Sequence, residues 1–242
     1  MRYSGELAYV LHARAYRETS VLVEVLTPNH GRLGLLARGV RGAKKHALKA
    51  ALTPGQYIRF DAEQRGELAR LIQAEALDSG VALEGDRLLA TFYQNELTLR
   101  LAPRFDAQPE LFVSFGRTRA LLTAGAPVAW TLRRFERDLL DALGLAPDWA
   151  HDAQGDLIQM GMHYRFDFER GFVLRALEKV AADDGLVISG DALHALAMDA
   201  QPDTRTSNEI RRFMRALLMH QLGGKGLKSW DMLAELRQIR SS

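Results

Sequence analysis

Cysteine is absent from the 242 residues, which removes disulfides, thiol nucleophiles and every thiolate zinc site at once. No apolar run reaches about 18 residues, so a membrane-spanning helix is not expected. The opening Met1-Arg2-Tyr3-Ser4-Gly5-Glu6 lacks the apolar core of a signal peptide. The expected location is the cytoplasm. Catalytic signatures are missing too. There is no G-x-S-x-G, and Gly223-Gly224-Lys225-Gly226 lacks the spacing of a nucleotide loop and follows a helical pattern. The closest histidines, His151 and His163, stand too far apart for a zinc site, and Asp183-Asp184 reads as a turn beside Gly185. Nothing in this inventory requires an enzyme, a cofactor or a metal.

What remains is an ordinary globular composition, 47% hydrophobic and 26% charged, with neither repeats nor low-complexity segments. The fold class expected is α+β in two domains. Residues 1–79 carry five short strand patterns: Leu7–Leu11, Val21–Leu26, Leu33–Ala37, Tyr57–Phe60 and Leu68–Ile72. Five strands in so short a span fit a small closed barrel of the OB type, with Gly34 and Gly39 suited to its bends. Residues 80–242 read as all-helical. Asp86 is placed to cap a helix carrying Leu89, Phe92, Tyr93 and Leu97. Pro127 opens a second with Val128, Leu132, Phe135, Leu139 and Leu143 on one stripe. Thr206 and Glu209 form a capping-box pattern before Ile210, Phe213, Met214, Leu217 and Leu218. A last helix is expected from Ser229 to about Ile239.

One absence is local. Gly31 to Leu52 holds six cationic side chains, Arg32, Arg38, Arg41, Lys44, Lys45 and Lys49, and no acid. Extending the window to Thr27–Phe60 adds Arg59, again without an acid. The whole chain carries only +2. Residues 1–79 balance at +4 and 205–242 at +5, around an acidic middle at −7, a distribution that fits a polyanion met from the basic ends. A merely solubilising loop mixes charge signs. In "ARGVRGAKK" the cations alternate with small residues, which permits close approach to phosphates, and small barrels bind oligonucleotides through their faces and loops. The stretch therefore reads as a nucleic-acid surface. Stacking aromatics are sparse (Tyr16, Tyr57 and Phe60), so phosphate contacts should outweigh base reading. Lys225 and Lys228, before a helix N-terminus at Ser229, offer a second place for an anion.

The runs "VLHARAYRETSVLVEVLTPNHGRLGLLARGVRG", "LKAAL" and "TPGQYIRF", followed in order by "YQNEL", "LRRFERDLLDALG" and "GGKGLKS", resemble the RecO family of bacterial recombination mediators. The resemblance implies an OB-fold amino-terminal domain and a helical carboxy-terminal domain. It implies binding of single- and double-stranded DNA and annealing of complementary strands. It implies partnership with RecR and with the acidic tail of the single-stranded-DNA-binding protein, so that RecA loads during repair. Carried over by position, the DNA-facing group is Arg38, Arg41, Lys44, Lys45 and Lys49, and Arg133 and Arg134 of "LRRFE" would meet the acidic tail. Many members carry a four-cysteine zinc module. The corresponding region here, His151–Tyr164, has no cysteine and would hold its turns without metal. The alternative reading is an RNA-binding OB protein of the translation machinery.

Overall fold

The computed structural model describes residues 1–40, 46–78, 83–175 and 185–232. Its contacts divide the chain into two compact units, Met1–Ala126 with Leu227–Ser242, and Pro127–Gly226.

In the first unit all five sequence-expected strands form, each longer than its apolar run. They are β1 (Arg2–Tyr16), β2 (Ser20–Thr27), β3 (Gly31–Ala37), β4 (Tyr57–Arg65) and β5 (Leu68–Ala76). They close in the order β1-β2-β3-β5-β4. Closure depends on the length of β1. Its first half pairs antiparallel with β4, from Arg2↔Glu63 to Tyr9↔Tyr57, and its second half with β2, from Tyr9↔Leu26 to Tyr16↔Ser20. A bulge between Tyr3 and Glu6 supplies the bend. It falls at Gly5, whose φ of 61° suits glycine, and whose N–H donates to Asp61 Oδ1 at 2.6 Å. The pairing of β3 with β5 is parallel, Gly34↔Leu68 to Leu36↔Arg70. Gly34 serves clearance there, because a Cβ would stand 2.8 Å from the Leu68 side chain and 2.9 Å from the Arg104 guanidinium.

Alternate residues point inward and fill the barrel: Ala8, Val10, Val23, Val25, Leu33, Leu35, Ile58, Phe60, Ala62 and Ala69. The large aliphatic and aromatic members contribute about 1.5–3 kcal/mol each. α1 (His46–Ala51) follows β3, with Leu48 packed against this core and Ala51 buried in it. α2 (Gly85–Leu101) and α3 (Pro109–Thr123) belong to the same unit. Tyr9 stacks on Tyr57 at 4.8 Å and meets Phe112 and Phe115 of α3 at 4.9 Å. Arg119 donates to the Gly55 carbonyl at 2.7 Å and pairs with Asp78. The expected domain division near residue 79 falls just after β5, while α2 and α3 group with the barrel.

Two expectations for α2 require correction. Its cap position is Glu84, with no side-chain cap, and Asp86 lies in the first turn. Phe92 is exposed, whereas Gln94, Asn95 and Thr98 are buried beside Leu97. Hydrophobicity alone misplaces the buried face here because that face is partly polar.

The second unit holds α4 (Val128–Ala142), α5 (Gly190–Ala197) and α6 (Thr204–Gln221). It also contains a three-stranded sheet in the order β7-β6-β8, from β6 (His163–Asp167), β7 (Gly171–Arg175) and β8 (Val187–Ser189). An all-helical region was expected, but strands of five, five and three residues leave too short a period to detect. Phe166 and Phe172 from this sheet pack with Trp149 and with Phe213 of α6. The stripe of α4 is buried through Leu132, Phe135 and Leu139. α6 begins three residues earlier than the capping-box pattern implies. Its cap is Asp203, which accepts from the Thr206 N–H at 2.7 Å. Glu209 instead accepts from the Ser189 N–H and Oγ at 2.7 and 2.9 Å.

Candidate nucleic-acid interface

The basic stretch leaves the barrel where β3 ends. Ala37 pairs with Val21 of β2 on one side of β3, and Leu36 pairs with Arg70 of β5 on the other. The chain emerging at Arg38 therefore has β2 on one flank and β5 on the other. A groove lies on each flank. The groove on the β1–β2 flank, about 500 Å³, is lined by Arg14, Lys49 and an apolar floor that includes Val21, Val40 and Leu52. The groove on the β5 flank, about 370 Å³, is lined by Leu36, Arg38, Arg65, Leu68 and Arg70. Arg38 and Lys49, the two described members of the expected DNA-facing group, thus stand in separate grooves. Both are exposed, and among the described residues neither enters an ion pair. Arg41, Lys44 and Lys45 lie outside the described residues.

The remaining cations of the window have other work. Arg32 is half-buried and pairs with Glu24 at 3.3 Å while its Nε donates to the Ala102 carbonyl. Burial is the largest influence on its guanidinium and lowers its pKa. Glu24 also holds Arg104. Arg59 pairs with Glu75 at 3.1 Å. Of the three aromatic candidates only Tyr16 is exposed, with the Arg17 guanidinium 5.2 Å from its ring centre. Tyr57 is stacked on Tyr9, and Phe60 is 1% exposed in the core. Hydrophobic packing of the barrel claims those two rings.

Sequence reasoning missed Arg14, Arg65 and Arg70. Each is an isolated cation on the outward face of a strand, and only strand pairing brings Arg14 to one groove and Arg65 and Arg70 to the other. Arg65 and Arg70 share a single carboxylate, Glu63, at 3.1 and 3.2 Å. The hydrogen bond from Arg70, followed by the charge of Arg65, holds Glu63 below its ordinary value.

The second expected anion position is already filled. Lys228 and Ser229 donate their backbone N–H groups to Glu96 of α2, at 2.8 and 2.9 Å. The carboxylate satisfies the helix N-terminus from within the chain. That helix is described to residue 232; its expected extension to Ile239 lies outside the described residues.

In the second unit Arg133 and Arg134 sit on α4, both drawn into pairs. Arg133 holds Glu136, whose side chain is 1% exposed, and Arg134 holds Asp199 at 2.6 Å. Asp199 also receives Arg137 at 3.2 Å. Arg133 is 11% and Arg134 24% exposed, so Arg134 is the more accessible of the two.

The His151–Tyr164 region is knit by carboxylates and backbone. Asp148 Oδ1 accepts from the N–H groups of Ala150 and His151, and its second oxygen pairs with His151 Nδ1 at 3.0 Å. The Ala150 N–H is the main cause lowering the Asp148 pKa; burial opposes it, and His151 adds to it. Asp152 Oδ1 accepts from Gln154 and Asp156, and Asp191 accepts the Gly161 N–H. Among the described residues no three His, Cys, Asp or Glu side chains gather as a metal site, and no helix is long and apolar enough to cross a membrane.

Comparison with known proteins agrees with this architecture. Residues 1–79 match the family model described as Recombination protein O N terminal, and residues 82–231 match Recombination protein O C terminal. A DNA repair protein RecO of Xanthomonas euvesicatoria pv. vesicatoria is 53% identical over 240 residues, covering 99% of this chain and 100% of the relative. One from Xanthomonas campestris pv. campestris is 53% identical over 236 residues, 98% of each. One from Stenotrophomonas maltophilia is 51% identical over 240 residues, 99% of this chain and 100% of the relative. The chain belongs to the RecO family of DNA repair proteins.

Proposed function

We propose that this protein is a non-enzymatic mediator of recombinational repair. It binds single- and double-stranded DNA, anneals complementary strands, and works in the cytoplasm at the nucleoid. Annealing needs no catalytic group. Cations reduce the repulsion between two phosphate backbones, and base pairing drives the joining. RecR and the acidic tail of the single-stranded-DNA-binding protein are the protein partners, with RecA loading as the outcome. Residues 1–79 form the DNA-binding domain, and residues 80–242, with Arg133 and Arg134, receive the tail.

The observation that carries this reading is the contrast among the basic residues of one window. Arg32 is held half-buried by Glu24, whereas Arg38 and Lys49 stand exposed beside grooves at one end of the barrel and enter no ion pair among the described residues. Membership of a DNA repair family gives no support to the alternative of an RNA-binding translation protein. The test is annealing of complementary DNA strands coated with their cognate binding protein. The protein should accelerate annealing, with RecR and RecA then forming joint molecules. No acceleration over the coated strands alone would refute the proposal.

A further inference from the structure

A protein that holds both strands during annealing needs two backbone tracks, and this barrel offers two separately lined grooves. They flank the end of β3, and β2 and β5, its two neighbours, lie about 10 Å apart at ordinary strand spacing. We propose that each groove takes a different strand. The Arg14–Lys49 groove is the first phosphate track, and the Arg38–Arg65–Arg70 groove is a second, in which Glu63 holds Arg65 and Arg70 until a nucleic-acid backbone displaces it. This rests on the DNA-annealing reading above and adds to it the site of the second strand.

Charge and chemistry favour the assignment. Three guanidiniums, Arg38, Arg65 and Arg70, line the second groove, and the last two share the single carboxylate of Glu63, an excess of positive charge that a phosphodiester chain can neutralise. Guanidinium also bonds phosphate in a two-pronged geometry. Leu36 and Leu68 give the groove an apolar floor on which sugars or bases can rest. Glu63 is a weak occupant, since exposed ion pairs contribute about 0–1 kcal/mol. It keeps the arginines ordered without blocking a polyanion.

The experiment uses the full chain, labelled complementary oligonucleotides without other proteins, and two variants, Arg65→Ala/Arg70→Ala and Glu63→Gln. Binding of one strand is read by fluorescence anisotropy and annealing by energy transfer between the two labels. Two contacts of salt slope about −0.7 each amount to about a tenfold loss of affinity at physiological salt. The arginine variant should therefore anneal about tenfold more slowly, with a much smaller effect on binding of one strand. Glu63→Gln should anneal faster than the parent, a gain that misfolding cannot produce. Parental annealing by the arginine variant overturns the second track and leaves DNA binding standing. So does an equal loss in both assays, which indicates a single shared track. Failure of the unaltered protein to bind or anneal DNA overturns the functional reading itself and this inference with it.

Discussion

Glu96 Oε2 receives the Ser229 backbone N–H at 2.9 Å, while its other oxygen takes that of Lys228 at 2.8 Å. The pairing joins α2 to a helix start more than 130 residues later in the chain, and Ser229 and Trp230 are buried behind it. A glycine-rich turn with two lysines looks in sequence like a place for phosphate, but here the anion is a side chain of the same unit.

Glu96→Ala should lower the unfolding free energy by about 1–3 kcal/mol, the effect of losing two hydrogen bonds to a charged carboxylate. Glu96→Gln, which keeps one acceptor oxygen, should lose less. Denaturant unfolding followed by tryptophan fluorescence measures both. A Glu96→Ala protein as stable as the parent would show that the helix start finds other partners.

Ser189 and Glu209 make the corresponding link in the second unit, with both the backbone N–H and Oγ of Ser189 donating to the carboxylate. Ser189 also caps α5 through Ala192. Glu209→Ala should cost about 2 kcal/mol and Thr206→Ala little, whereas a Thr206–Glu209 capping box would make both substitutions costly. Comparable losses for the two would restore the capping box.

Asp203 gives α6 an acid-sensitive start. The Thr206 backbone hydrogen bond is the chief cause holding its carboxyl below the ordinary 3.8. A depressed pKa adds stability that is fully present above the ordinary value and lost as pH falls through the folded value. Melting temperatures of the parent and Asp203→Ala should therefore differ most near neutrality, with the gap beginning to close near pH 3.8 and vanishing only at more acid pH, below the folded value. A gap that persists unchanged at low pH would mean the ionised carboxylate contributes nothing.

For the acidic tail, the ion pairs on α4 separate two effects that a double arginine variant would confound. Arg133→Ala removes the counter-charge of the buried Glu136 and should destabilise by about 3 kcal/mol. Arg134→Ala should weaken tail-peptide binding while leaving the melting temperature nearly unchanged. Asp199→Asn removes a competing carboxylate and should tighten the peptide about two- to fivefold. Unchanged peptide affinity in both would remove Arg134 from the docking site.

The barrel was legible in sequence because each strand is an apolar or alternating run bounded by turn residues, as at Pro28–Gly31. α4 and α6 were legible through their 3.6-residue stripes. The β6–β8 sheet was not, since runs of three to five residues carry no measurable period. α2 was misread at Phe92 because its buried face includes Gln94 and Asn95. At the candidate interface, the clustered cations of one window could be seen in the chain. Arg14, Arg65 and Arg70 could not, because only strand pairing brings them to the grooves. Nor could sequence show that Arg32 and Arg59 are held by Glu24 and Glu75.

The central claim is that the Arg38–Lys49 stretch contacts DNA phosphates, and the salt dependence of binding tests it most directly. Affinity of a single-stranded oligonucleotide should be measured across a range of salt for the parent and for Arg41→Ala/Lys44→Ala/Lys45→Ala. Each true phosphate contact contributes about −0.7 to the slope of log affinity against log salt, so loss of three should flatten it by about 2. Sequence preference should stay the same, since phosphate contacts carry no base information. A triple variant that binds with the parental salt slope would contradict the claim, leaving the stretch a solvated loop.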